Sequence, residues 1–164
     1  MEESCVYDIP ANQLDTRAVS YWKWKGFITC LFEFIIPLGY YAAYYFGGWP
    51  LWPFYILFIL WAVWMLVRVF IIPAILWKTW RYDISEQEID FLRGILIKKR
   101  TLIPMVRVQH VDTGQGPLMR RFGLAELSIS TAAGSHEIPA LAEETAHALR
   151  QRISVLARVV EEDV

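Results

Sequence analysis

Cysteine and histidine are scarce in this 164-residue chain, with two of the first and three of the second. Cys5 stands in a polar N-terminal tail and Cys30 inside a long apolar run, an arrangement that offers no disulfide framework. His110, His136 and His147 have no cysteine or carboxylate at the spacing of a zinc site, so no metal is expected. No serine occupies a nucleophile elbow, and the glycines around Gly114 and Gly116 lack the spacing of a P-loop. Residues 114–117 read more simply as a turn into a short helical segment at 118–121. Without a catalytic set or a cofactor motif, the chain is expected not to be an enzyme. A lipid-acting enzyme would find no supporting residues. No cleavable signal peptide is expected: residues 1–20 are polar, and no small-residue cleavage site follows the apolar run after Lys25.

Charge is the other scarcity. Between Gly26 and Trp77 only Glu33 and Arg68 carry one. Hydrophobic residues make up 55% of the chain and the mean hydropathy is +0.31. That excess is concentrated in two runs, 26–46 and 51–77. At ~1.5 Å per helical residue, each is long enough to cross a hydrocarbon core of ~30 Å. Gly47-Gly48-Trp49-Pro50 separates them with turn residues. A chain this small cannot surround two such runs, so a transmembrane hairpin is expected, antiparallel because its connection is short. Trp22, Trp24, Tyr44, Tyr45, Trp49, Trp52, Trp77 and Trp80 cluster at the ends of the runs, where amphipathic rings favour the bilayer interface. Arg17, Lys23 and Lys25 precede the first run, and Lys78 and Arg81 follow the second. The loop between has no basic residue. The positive-inside rule then puts both termini in the cytoplasm, in the plasma (inner) membrane. The expected division is a tail at 1–25, the hairpin at 26–77 and a cytoplasmic domain at 78–164.

The period changes after Lys78. Residues 79–84, 88–93, 95–100, 106–112, 125–131 and 135–138 are short, rich in β-branched and aromatic residues, and separated by Ser85, Gly94, Pro104, Gly114 and Gly134. Alternation is clearest in AELSIST, with Ala125, Leu127 and Ile129 on one side and Glu126, Ser128 and Ser130 on the other. After Pro139 the pattern is helical: Ala146, Leu149, Ile153, Leu156 and Val160 share a face. Glu143 and Glu144 suit the positive N-terminus of that helix and Arg158 its C-terminus. Six to seven strands closed by one helix describe a small barrel or sandwich.

That order resembles the pleckstrin-homology-like (PH-like) fold. The wording of RYDISEQEIDFLRG (81–94), IPMVRVQHVDTGQGPLMRRFGLAELSISTAAG (103–134) and IPAL (138–141) resembles the bacterial PH-2 family, specifically its short YdbS-like membrane proteins. The signal centres on Arg107-Val108-Gln109, Gly116-Pro117-Leu118, Arg121-Phe122-Gly123 and Thr131-Ala132-Ala133-Gly134. The resemblance implies a membrane-tethered binding module. It also implies a hetero-complex, because members are often encoded beside a larger membrane protein with repeated PH-like domains. A homo-oligomer is the other partner expectation.

The C-terminal domain has balanced charge, yet Arg93, Lys98, Lys99, Arg100, Arg107, Arg120 and Arg121 face a single acid, Asp112, between positions 93 and 121. A solvated surface is the plain reading. The functional one is attraction to anionic phospholipid, worth ~1 kcal/mol for each basic residue near the surface. Lys98, Lys99, Arg100, Arg107, Arg120 and Arg121 are the head-group candidates. Nucleic acid is not expected, because no recognition motif accompanies the charge. Glu33 and Arg68 are expected to form an intramembrane ion pair. Both fall ~10–14 Å from the cytoplasmic boundary, and ionisable residues in spans usually pair. The pair would lock the hairpin; the alternative is a path in a small transport or export assembly.

Overall fold

The computed structural model describes residue 10, residues 12–94 and residues 97–162, without the side chains of 158–162. Cys5, positions 95–96 of an expected strand, and the side chains of Arg158 and Val160 lie outside the described residues. The chain folds as two compact units. One is Val19–Ile75; the other comprises Leu76 onward together with the described residues before Val19.

The first unit is the helical hairpin. A short strand β1 (Asn12–Gln13) precedes helix α1 (Arg17–Glu33), and α2 (Ile35–Gly47) continues the same rod. Helicity begins well before the apolar run at residue 26. The break at Phe34 follows from Pro37, which has no N–H to offer the carbonyl of Glu33 and crowds it. Gly48 ends α2 in the left-handed conformation, φ 66°, its N–H bonded to the Tyr44 carbonyl. Helix α3 (Trp52–Leu66) opens with Pro53 in its first turn. It passes through a π-helical stretch at Val67–Ile71 into α4 (Ile72–Thr79). Here Pro73 removes the donor for Val69, and the ladder widens so that the Ile72 N–H reaches the Val67 carbonyl. Both rods have the length and composition to cross a membrane. Their outward side chains are apolar and uncovered, Phe32 at 75% and Phe46 at 85% exposure.

In the second unit, β1, β2 (Arg81–Ile84), β3 (Glu88–Arg93) and β4 (Lys99–Pro104) form one antiparallel sheet in that order. After a 3₁₀ turn at Met105–Arg107 come β5 (Val108–Gly114), α5 (Pro117–Phe122), β6 (Leu124–Thr131) and β7 (Gly134–Ala142). The last three strands form a second antiparallel sheet, and α6 (Glu143–Glu162) closes the fold. Ile89, Ile103, Met105, Leu127, Ile129, Ile138 and Ile153 are buried in its core. This is the PH-like sandwich with its C-terminal helix.

Two strands depart from their expected bounds by four residues. β4 occupies 99–104 instead of 95–100: Ile103 and Met105 supply the buried apolar positions, and Ile97 is left outside the sheet. β7 runs through Pro139 to Ala142 rather than stopping at 138. Leu127 pairs with Ile138 and Ala125 with Leu141, so Pro139 and Ala140 together oppose Glu126 in a bulge. A bulge tolerates a residue without N–H, and Ala140 takes φ 52° there. The two-residue β1 has too little pattern to be predicted from sequence.

Candidate functional site

Within the hairpin, Glu33 ends α1 where Pro37 breaks the ladder, and Arg68 lies in the π-helical stretch before Pro73. Arg68 Nη1 donates to Glu33 Oε1 at 2.7 Å. Trp64 Nε1 donates to the other carboxylate oxygen at 3.0 Å, and the Arg68 guanidinium stands 5.7 Å from the Trp64 ring centroid. Each charge is therefore matched in hydrocarbon-length helices, where an unmatched one is costly. The neighbouring seam fits this closeness. A Cβ on Gly26 would meet the Arg68 carbonyl oxygen at 3.2 Å. Trp61 Nε1 donates to the Cys30 carbonyl at 3.0 Å, and Phe34 packs on Trp61 with ring centroids 4.8 Å apart. Small residues that let backbones approach, with polar groups bonded across them, are what hold helices together in lipid. Trp61 and Trp64 were not singled out from the sequence, because a tryptophan in an apolar run carries no signal of its hydrogen-bond partner.

The six basic candidates do not gather at one end of the domain. β2 begins at Arg81 and pairs with Gln13 of β1 on one side and Leu92 of β3 on the other. Arg93 pairs with Lys99, so the β3–β4 turn, with Lys98, is at this same end. The chain enters α1 just after Gln13 and leaves α4 just before Arg81, so both connections to the hairpin depart from here. Arg17 ties α5 to the same end, with Nη1 donating to the Phe122 carbonyl at 3.3 Å. Arg120 and Arg121 are exposed on α5. Arg107 lies past the opposite end of β4, about 17 Å away for six strand residues.

Arg100 is engaged. It grips Asp90 with Nε and Nη2, at 2.9 and 2.6 Å to Oδ2. Asp90 is the buried charged side chain among the described residues. A forked guanidinium on a carboxylate is a strong, directional contact, so Arg100 serves the sheet first. Lys98 and Lys99 are exposed.

Arg17 and Asp15 were missed as a pair because their contact depends on how the chain turns into α1. The Asp15 carboxylate accepts from the Arg17 backbone N–H at 2.8 Å and from its guanidinium at 3.1 and 2.9 Å. Those guanidinium bonds hold the carboxyl below its usual range. Burial pushes the Tyr82 phenol up. His110 bonds Asp112 at 3.1 Å on an exposed strand, and the His136 ring stacks near that of Phe91.

The family model for the bacterial PH domain matches residues 33–157, from the end of α1 through the sandwich and most of α6. The chain belongs to the bacterial PH domain family. It is 43% identical over 155 residues to the UPF0699 transmembrane protein YdbS of Bacillus subtilis (strain 168), covering 94% of this chain and 98% of that one. It is 31% identical over 67 residues to the UPF0699 transmembrane protein YdbT of the same organism, covering 41% of this chain and 14% of that one. No solved structure matches. This bacterial PH domain protein is a membrane protein: the two helices have the length, and the relative that spans nearly the whole chain is named a transmembrane protein. PH-like domains are not an enzyme class.

Proposed function

We propose that the protein is a non-enzymatic, membrane-anchored binding module whose domain seats its hairpin-connected end on anionic phospholipid of the inner leaflet. The observation that carries this reading is the placement of exposed Lys98 and Lys99 at the sheet end where the chain passes to and from the hairpin, with Arg120 and Arg121 on the short helix that Arg17 contacts at Phe122. A tethered basic surface gains ~1 kcal/mol per residue from an anionic leaflet. The flanking residues Arg17, Lys23, Lys25, Lys78 and Arg81 favour a cytoplasmic placement of that end, and of both termini. Glu33 and Arg68 serve as the hairpin's lock rather than as a transport path, since each is spent on the other and on Trp64.

The same module is read as an accessory or assembly subunit. Similarity to a stretch amounting to 14% of YdbT is consistent with a larger membrane protein that has a related segment as its partner. Purification of the full chain in native lipid discs tests the head-group reading. The parent should co-purify with anionic lipid enriched over the bulk membrane. The variant Lys98→Glu, Lys99→Glu, Arg120→Glu, Arg121→Glu should lose that enrichment. Equal enrichment in both would refute it. Proteins retained in the same discs distinguish a larger partner from a second copy of this chain.

A further inference from the structure

We propose that Ile97 is a lipid-inserting residue: it enters the hydrocarbon edge of the bilayer while Lys98 and Lys99 hold the phosphate layer beside it. This rests on the head-group reading above and adds the apolar half of the contact.

Ile97 is 84% exposed, more than Leu102 (50%), Val106 (64%) or Val155 (61%), the other large exposed apolar residues outside the hairpin among the described residues. A single exposed aliphatic side chain is ordinary on a soluble surface. Three further observations set this one apart. The first is position. Arg93 pairs with Lys99, so Ile97 lies in the turn beyond the end of the sheet that carries both hairpin connections. Val106 lies past the other end.

The second is chemistry. Exposed Lys98 and Lys99 follow Ile97 directly, and Arg93 stands across from Lys99. An apolar tip backed by ammonium groups matches the order of layers in an anionic leaflet, hydrocarbon first and phosphate next. Lysine stems can reach along an apolar surface while their charges remain at the head groups.

The third is construction. Gly94 has φ +129°, and a Cβ there would lie 1.9 Å from the Ile97 carbonyl oxygen. That close approach of the Ile97 backbone is open only to glycine at position 94. One inserted isoleucine is a weak anchor, but the hairpin keeps it at high effective concentration beside the bilayer, so weak insertion suffices.

The test uses the full chain with Cys5→Ser and Cys30→Ala, in lipid discs of 30% anionic phospholipid. A nitroxide is attached through Ile97→Cys, Arg121→Cys or Glu86→Cys, the last in the turn at the opposite end of the sheet. Collision with oxygen, which concentrates in hydrocarbon, is compared with collision with a water-soluble nickel chelate. The label at 97 should be severalfold more accessible to oxygen, relative to nickel, than the label at 86. The label at 121 should report the head-group zone. A label at 97 as exposed to nickel as that at 86 overturns the insertion. If 121 still reports head groups in that case, the broader reading survives; if both are aqueous, it falls as well. A label at 97 immobilised and shielded from both reagents indicates a protein contact and also overturns the proposal.

Discussion

Glu33 has a short side chain and two strong donors, whereas Arg68 has a long stem that can extend toward the head groups. Removing one partner therefore has unequal consequences. Glu33→Gln keeps a polar neutral group beside an arginine that can relocate. Arg68→Leu leaves a carboxylate with Trp64 as its remaining partner, at a cost approaching the ~2.5–3.5 kcal/mol of a lone charge at mid-bilayer. Steady-state abundance and thermal stability in detergent should fall further for Arg68→Leu than for Glu33→Gln. The double variant Glu33→Leu, Arg68→Leu should recover much of the loss, because no charge is left stranded. Additive losses would mean that the two residues act independently. This contact was legible in the sequence because two lone charges at matched depth on antiparallel helices have few other ways to be satisfied. The Asp90–Arg100 grip was not. It depends on the register Leu92↔Arg100 and Asp90↔Leu102, which puts the two side chains diagonally on one sheet face.

Elements follow their local chemistry where the pattern is long and lose it where a turn intervenes. The hairpin, β6 and α6 were readable because many residues repeat one period. β4 was misplaced by residues such as Ile97, which satisfies a strand pattern in the sequence yet lies outside the sheet. β7 was cut short because Pro139 ordinarily ends a strand, and only pairing with β6 reveals the bulge that accommodates it. The tightness of the β3–β4 turn leads to a contrast between two glycines. Gly94→Ala must reopen the turn and should destabilise the domain by roughly 1–3 kcal/mol. Gly116→Ala should be near neutral, since Gly116 has φ −76° and no atom within 4 Å of an added Cβ. Thermal unfolding of the two variants, followed by near-ultraviolet dichroism, checks the difference. A neutral Gly94→Ala would show that the turn is not closed as described.

For the whole molecule, the order of parts was legible: charge-poor runs, a glycine-proline turn, then short strands and a helix. The distribution of basic residues over the domain was not. Arg107 and Arg120 are close in sequence, yet strand β5 separates them, and only topology places the helix that carries Arg120 beside Arg17. The orientation of that end has its own check. A probe at Gly48→Cys should label with an impermeant reagent in intact cells, whereas Cys5 should label only after lysis. The reverse pattern would place the domain on the outer side.

The seating of the domain on anionic lipid is tested most directly by hydrogen exchange on the full chain in lipid discs, neutral against 30% anionic. Amides of residues 97–100 and 118–122 should exchange several-fold more slowly in the anionic discs, with residues 105–108 unchanged and the difference lost in high salt as charges are screened. Equal exchange in the two lipids, or protection confined to 105–108, would contradict it.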